Sequence, residues 1–461
     1  MTPLLAALAL AAASPADARP NVLVLFTDDQ GVGDVGRYGS EIPTPHIDAL
    51  GRDGLTFSQF YAASSICTPS RFGLLTGRAA HRSADELTGA LMFLDARDAR
   101  RGIRPHEPTF AESLRQAGYA THLVGKWHLG HGDKDLFWPT RHGFETFFGH
   151  TGGCVDFFTC RYGNVPDWYR GDELIDVPAD AYATRLIAEE AVAIVERAAE
   201  GGGGRPWYLQ VSFNAPHFAK GFDWASGEPA NVMQPAPADL AAADRVDAIA
   251  SPLRRAFAAK VIGADRAVGR ILDALEATGQ ADDTLVIFMT DHGGDPAYGG
   301  SNAPLRAGKA TLYEGGVRVP CLVRWPGVTP AGATTDAVAS ALDWFPTFAA
   351  AGLCDPPPPV RAAWDGQSIL PVLKGEPAAP HRPIVWKTGP SEALSRSAWS
   401  AVRAGDWKWV RPPGGPGDPA GSASDGGELY DLAADPAETT DRAAEFPETA
   451  ARLAALADGA E

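Results

Sequence analysis

Five short apolar runs punctuate the first three quarters of the chain: Asn21–Phe26, Tyr119–Val124, Trp207–Phe213, Thr284–Met289 and Cys321–Trp325. Unbroken runs of this length, rich in β-branched residues, read as strands buried on both faces of a mostly parallel sheet. Helical spacing lies between them. Thr109–Gln116 follows Pro108. The stretch 180–197 sets Ile187, Ala191, Ile194 and Val195 on one face, and 251–278 does the same with Leu253, Phe257, Val261, Val268, Ile271 and Leu275. Alternating strands and helices predict an α/β sandwich, a large mixed and mostly parallel sheet between helical layers. The four glycines 201–204 read as a flexible connection.

The pattern changes near Asp355. A proline run, Pro356–Pro359, precedes shorter strand-like pieces at Ile384–Lys387, Ala401–Arg403 and Trp407–Val410. A Gly/Pro/Ser-rich loop (Pro412–Gly427) and an amphipathic tail from Ala444 follow. We expect a smaller C-terminal α+β domain over 356–461, packed on a larger α/β domain over 19–355. Residues 1–18 read as an export signal: Leu4–Ala13 is apolar but too short to span a bilayer, and Ala16-Asp17-Ala18 is a small-x-small cleavage site. The expected location is periplasmic or secreted, with no membrane span.

Composition narrows the function. In 461 residues, 45% are hydrophobic and 21% charged, which excludes a disordered chain. A net charge of −17 argues against nucleic acid as partner and requires any anionic substrate to be met by a local positive cluster. Five cysteines leave one unpaired in an exported chain. Cys67 is that one; Cys154, Cys160, Cys321 and Cys354 are left either to pair or to stay as buried thiols.

Four of the apolar runs end in polar clusters: Thr27-Asp28-Asp29-Gln30, Gly125-Lys126-Trp127-His128, Asn214-Ala215-Pro216-His217 and Thr290-Asp291-His292-Gly293. Ligands of open α/β sheets bind at the carboxyl ends of strands, so these endings point to one site along one sheet edge. Asp28, Asp29 and Asp291 repel one another unless a cation or proton lies between them. Oxygen donors point to Ca²⁺ or Mg²⁺, while His292 pulls towards a transition metal. Taken singly, Asp28–Asp29 or Asp291 reads better as turn or cap residues; together, at matching strand ends, they read as a metal site. The Gly31-x-Gly33-x-x-Gly36 match is a decoy, because Pro43 and Pro45 leave no room for the long helix a dinucleotide site needs.

The most specific stretch is Cys67-Thr68-Pro69-Ser70-Arg71-Phe72-Gly73-Leu74-Leu75-Thr76-Gly77-Arg78. Thr68 suits an N-cap and Pro69 a first helical position, with a stop near Gly77. Cys67 then lies at a helix N-terminus that favours an anion. The bland reading is a buried cysteine ahead of a capped helix.

This stretch resembles the signature of the type I sulfatases, of the alkaline phosphatase superfamily. The four strand endings look like that family's motifs, in its order. So do Lys309 with Leu312–Pro320, and Glu428-Leu429-Tyr430-Asp431 with Asp435-Pro436. The resemblance runs from about Pro20 to the C-terminus. It implies a sulfuric ester hydrolase in which Cys67 is converted to formylglycine by a maturation enzyme. Asp28, Asp29, Asp291 and His292 would hold Ca²⁺ beside the modified residue 67. Many sulfatases carry Asn at this fourth position, whereas His292 resembles the iduronate sulfatases, and the departure opens the choice of metal. Arg71, Lys126 and Lys309 would bind sulfate oxygens or stabilise residue 67. His128 and His217 would handle protons, with His217 or Lys309 assisting the leaving alcohol. The expected substrate is a sulfated carbohydrate. Trp138, Phe144, Phe147, Phe148, Phe157, Phe158, Trp168 and Tyr169 read either as a stacking surface for it or as core under long loops. The rivals are a phosphatase or phosphodiesterase of the same scaffold, which would usually carry Ser or Thr as nucleophile, and a non-catalytic sulfated-glycan binder. A cysteine hydrolase leaves the carboxylates unexplained.

Overall fold

The computed structural model describes residues 19–200, 204–223, 225–389, 398–413 and 427–459. The expected export signal, glycines 201–203 and residues 414–426 of the Gly/Pro/Ser-rich loop lie outside these. Among the described residues, no helix is long and apolar enough to cross a membrane.

The main strands are β1 (Asn21–Asp28), β2 (Leu55–Tyr61), β3 (Ala120–Lys126), β4 (Thr146–His150), β5 (Trp207–Pro216), β6 (Thr284–Thr290) and β7 (Arg318–Arg324). They form the body of an eleven-stranded sheet in the order β2-β7-β6-β1-β5-β3-β4, extended by short strands at both edges. From β6 to β4 every neighbour is parallel. β7 runs antiparallel to both β6 and β2, which makes the sheet mixed. The five apolar runs are all strands. β2 and β4 carried no comparable run: β2 mixes Thr, Ser and Gln with its apolar residues, and β4 is only Thr-Phe-Phe-Gly-His.

The unbroken runs serve two cores. In β1, Val22, Val24 and Phe26 face one apolar layer, and Leu23 and Leu25 face the other. Alternate side chains leave opposite faces of a strand, so a strand covered on both sides must be apolar throughout. Helix α1 (Cys67–Thr76) supplies Phe72, Leu74 and Leu75 to the first layer. Helices α2 (Ala183–Glu200) and α3 (Pro252–Ala277) cover the second with Ile187, Ala191, Ile194 and Val195, and with Val268, Ile271 and Leu275. Each such burial stabilises the fold by roughly 1.5–3 kcal/mol. Leu253 is a correction to the expected α3 face. It is 41% exposed, because it lies in the first turn, before the helix reaches the layer.

α3 also holds its neighbour in place. The Asp265 carboxylate accepts from the backbone N–H of His46 (3.0 Å) and Ile47 (2.8 Å), at the start of the helix Pro45–Arg52. Thr44, the N-cap, makes no side-chain cap bond, so Asp265 satisfies these orphan donors from another helix. Burial pushes the Asp265 carboxyl up to about 7. Its folded value lies above its unfolded one, so the folded state binds more protons between about pH 4 and 7. Stability therefore falls as pH rises through that window. Asp265→Asn is expected to flatten this slope in urea melts taken across it. A wild-type and variant difference that stays constant with pH would contradict the assignment.

The smaller C-terminal unit is an antiparallel sheet of β8 (Ile384–Thr388), β9 (Trp399–Ala404), β10 (Trp407–Arg411) and β11 (Glu428–Asp431), with helix α4 (Pro447–Asp458). Val402, Trp409 and Leu429 pack on Leu453 and Ala457 of α4. Ala401, Val410 and Tyr430 turn the other way, onto Tyr61, Leu312, Tyr313 and Val317 of the large unit.

All five cysteines are buried and free. The aromatic region resolves as core: Trp138, Phe144, Phe147, Phe157 and Trp168 are at most 1% exposed, and Phe158 alone of the set is largely open. The glycine decoy forms two short 3₁₀ turns, Val32–Asp34 and Gly36–Tyr38, with Gly31 and Gly33 packed on Ser301.

Candidate active site

Because β6, β1, β5 and β3 are parallel, their carboxyl ends share one edge. Register completes the alignment, with Thr27 opposite Thr290 and Asp28 opposite Pro216. Asp28, Asp29, Asp291, His292, His217, Lys126 and His128 are thereby delivered to one place. Asp29 and His128 take left-handed backbone conformations, with φ of 66° and 57°. Non-glycine residues adopt this region only where the surroundings impose it, commonly at functional sites.

α1 brings Cys67 to the same edge. The helix starts at Cys67, with Ile66 as N-cap, two residues earlier than the expected Thr68 cap and Pro69 start. Thr68 is drawn elsewhere: its Oγ1 donates to the His128 carbonyl (3.0 Å) and accepts from the Leu91 N–H (3.1 Å). Gly77 ends the helix in the left-handed region (φ 66°), its N–H returning to the Gly73 carbonyl.

Cys67 Sγ lies 3.2 Å from His292 Nε2 and 3.6 Å from Asp28 Oδ1. Asp28, Asp29, Cys67 and His292 each offer a donor atom within 4.8 Å of all the others, and all four are buried. Asp291 stands beside this group. One carboxylate oxygen accepts from the Asp29 N–H (3.3 Å), and the other is 3.6 Å from His292 Nε2. Two oxygen-donor side chains and an imidazole in so small a buried volume fit a divalent cation, with Asp291 close enough to join.

Three cations surround the carboxylates. Arg71, one turn along α1, reaches Asp28 (3.1 Å) and Asp291 (3.3 Å). Lys126 bonds to Asp28, and Lys309 bridges both oxygens of Asp29 at 2.7 and 2.9 Å. Burial pushes the Asp28 carboxyl up, but Lys126, His217, Arg71 and Lys309 outweigh it and hold the group well below its ordinary range. Burial dominates at Asp29 and carries it to about 7, against the pull of Lys309. Burial works against a charged His292, yet Asp291, Cys67 and Asp29 raise it to about 10. A divalent cation competes for the place of that proton.

The two remaining histidines have fixed tautomers. Nε2 of His128 donates to the Leu91 carbonyl (2.9 Å), which leaves its buried Nδ1 without a partner as the basic atom. Nδ1 of His217 donates to the Phe218 carbonyl (2.8 Å), and its Nε2 lies 3.6 Å from Asp29 Oδ2. Burial lowers both histidines well below their usual value, so both are neutral at pH 7.

The cluster floors a cavity of about 560 Å³ reached by Cys67, His128, His217 and Lys309. Its upper walls include Met92, Tyr162, Phe218, Lys220, Asn231 and Tyr298, none of which sequence patterns singled out. Two of these, Lys220 and Asn231, come from the hairpin Ala219–Asp223/Glu228–Val232, whose only sequence signal is its position just after His217. A groove of about 750 Å³ between β4 and α2 is remote from Cys67, and its charges pair with each other, as in Arg205–Glu145 and Arg170–Glu190, both at 2.7 Å.

A buried cysteine at a helix start, against a carboxylate cluster ringed by Arg and Lys, is an arrangement suited to holding an anionic group on a doubly covered α/β sheet. The comparisons identify the family. The family model described as Sulfatase matches residues 20–352. Human N-acetylgalactosamine-6-sulfatase is 33% identical over 427 residues, covering 86% of this chain and 73% of that protein. Bovine arylsulfatase A is 34% identical over 425 residues, covering 87% and 76%. The crystal structure of Ps i-CgsB in complex with k-i-k-neocarrahexaose superposes with a TM-score of 0.79 at 29% identity, covering 94% of this chain and 91% of that one. The chain belongs to the sulfatase family, the formylglycine-dependent branch of the alkaline phosphatase superfamily, and is a sulfuric ester hydrolase.

Proposed function

We propose that this sulfatase removes sulfate from a sulfated carbohydrate, with residue 67 carried as formylglycine and a Ca²⁺ ion held by Asp28, Asp29, Asp291 and His292. The observation that carries the reading is Cys67 itself, packed against Asp28 and His292 at the floor of an open cavity. The carbohydrate is supported by relatives named for N-acetylgalactosamine-6-sulfate and by the oligosaccharide bound in the structural neighbour.

A divalent cation held by Asp28, Asp29, Asp291 and His292 would supply Lewis acidity there. Formylglycine at residue 67 would supply a hydrated aldehyde, whose paired hydroxyls offer both a nucleophile and a way to release the sulfate. The chain's own groups do the rest. Arg71 bonds to Asp28 and Asp291 and so fixes the carboxylates' orientation. Lys126 and Lys309 place positive charge where sulfate oxygens arrive. Asp29 keeps Lys309 protonated, above its ordinary value despite burial, so it is available to protonate the leaving alcohol. His217 is neutral, with its Nδ1–H held by the Phe218 carbonyl, and it presents a bare Nε2 to the cavity floor. The bare Nδ1 of His128 accepts the proton when sulfate is released. We place the protein outside the cytoplasm, exported by residues 1–18 and matured by a formylglycine-generating enzyme.

The test is sulfate release by protein co-expressed with such an enzyme, from an aryl sulfate and a panel of sulfated sugars, with the matching phosphate esters alongside. Sulfate release that a calcium chelator suppresses and added Ca²⁺ restores is the expected result. Phosphate release alone would favour the phosphatase reading. Binding of the sugars without turnover, with residue 67 shown by mass to be modified, would favour a glycan-binding protein.

A further inference from the structure

Arg71, Lys126 and Lys309 each face a carboxylate. Lys220, on the cavity wall, does not. Among the described residues no carboxylate oxygen lies within 4 Å of its ammonium, in a chain whose net charge is −17. Yet its position is fixed. The backbone is tied at both ends, with Lys220 N–H on the Val155 carbonyl (3.2 Å) and Gly163 N–H on the Lys220 carbonyl (2.9 Å). The ammonium donates to Asn231 Oδ1 at 2.8 Å, directly across the hairpin, and stands 5.7 Å from the centre of the Tyr162 ring. Asn231 is itself held, its amide donating to the Tyr298 hydroxyl at 2.9 Å. An ammonium has three donors, and Asn231 takes one.

Beside it, Phe218 and Tyr298 pack with ring centres 4.4 Å apart and planes tilted by 35°, and the Phe218 and His217 ring centres are 4.0 Å apart. The aromatic pair therefore links His217, at the sulfate end of the cavity, through Tyr298 and Asn231 to Lys220. Asp295, the acidic side chain of the wall, accepts from the Ala297 N–H at 3.0 Å and acts on Asp29 and Lys309, at the sulfate end.

We infer that Lys220 forms a second anion subsite, which receives a carboxylate or a second sulfate on the same saccharide whose sulfate ester meets residue 67. This rests on the proposed carbohydrate reaction and narrows its substrate to a saccharide with at least two anionic groups. A simple aryl sulfate carries no second anion and leaves the ammonium unmatched. A doubly anionic sugar lays its ring along Phe218 and Tyr298 and pairs with the cation beyond.

The experiment compares Lys220→Met and Lys220→Arg with wild type in the full, matured chain. The substrates are a neutral monosulfated sugar, a disulfated sugar, and a monosulfated sugar carrying a uronate carboxylate. In Lys220→Met, kcat/KM for one or both doubly anionic sugars is expected to fall about ten-fold, mainly through KM, a loss of ~1.4 kcal/mol. The loss on the neutral sugar is expected to be several-fold smaller, and Lys220→Arg to recover most of it. Which of the two sugars responds identifies carboxylate or sulfate as the group. Calorimetric binding of the same sugars to the inactive Cys67→Ala chain, with and without Lys220→Met, gives a reading that needs no turnover. Equal losses on all three sugars, or unchanged binding of the doubly anionic ones, would overturn the subsite. Wild type that binds these sugars through Lys220 but releases no sulfate would overturn the reaction and not the subsite.

Discussion

Replacing Cys67 by alanine is expected to lower sulfate release on the order of 10⁴-fold or more, as when a catalytic nucleophile is removed, while the protein stays folded. The geometry separates these two effects. Cys67 is 3% exposed and lies in the first turn of α1, where alanine is a good helix former. Its loss removes one sulfur atom from a polar cluster and no apolar packing, so the structural cost is about 1 kcal/mol. The chemical cost is the whole covalent route. Cys67→Ser makes the sharper comparison. A serine hydroxyl at the same place can attack sulfur, but it has no second hydroxyl through which to expel the sulfate. The serine variant is therefore expected to take up at most one sulfo group per chain and stop, visible as a mass increase on the peptide carrying residue 67. Sustained turnover by Cys67→Ala or Cys67→Ser, measured as free sulfate, would remove residue 67 from the mechanism and leave the carboxylate cluster to act on water.

What the sequence conveyed depended on how local each signal was. The runs at β1, β3, β5, β6 and β7 were legible because strands covered on both faces must be apolar throughout. Their polar endings were legible as one site because parallel strands end together. β7 shows the limit: an apolar run carries no direction, and only long-range pairing makes it antiparallel to β6 and β2. The start of α1 was misplaced because Thr68 has the chemistry of a cap, while its hydroxyl is used to join the chain at Leu91 and His128. The aromatic segment between Trp138 and Tyr169 left two readings, because composition cannot tell a ring on a surface from one beneath it. The upper wall of the cavity was invisible for a different reason. Lys220, Asn231 and Tyr298 matter through contacts across the hairpin and to the turn at 296–298, and no spacing along the chain encodes that meeting.

Lys408→Met is expected to cost about 3–5 kcal/mol, the largest stability loss of any single change considered, because it removes the ammonium shared by two buried carboxylates and leaves Glu438 without a counter-charge and Glu314 with only Arg318 and Arg403. Lys408, on β10, is fully buried between the large unit and the C-terminal sheet. Its ammonium is 2.9 Å from Glu314 Oε1 and 2.9 Å from Glu438 Oε1. Glu438 also accepts from the Glu314 N–H at 2.6 Å, and Glu314 accepts from the Tyr61 hydroxyl at 2.7 Å. Burial pushes both carboxyls up. At Glu314, Lys408, Arg318 and Arg403 reverse this and keep it ionised, while Glu438 stands at about 7 despite Lys408. Methionine fills a similar volume, so the loss reads charge and not packing. Adding Glu438→Gln removes one stranded carboxylate. The double variant is therefore expected to be more stable than the sum of the single losses, the coupling that a mutant cycle in urea isolates. The effect should also reach the active site. Glu314 follows Lys309 by five residues in the chain, and Lys309 holds Asp29 across the cavity floor. Loosening the anchor at Glu314 frees the segment that places Lys309, so kcat should fall together with stability. A loss below about 1 kcal/mol with kcat unchanged would mean that the apolar contacts of Trp386, Ala401, Val410 and Tyr430 dock the C-terminal sheet without help from charge.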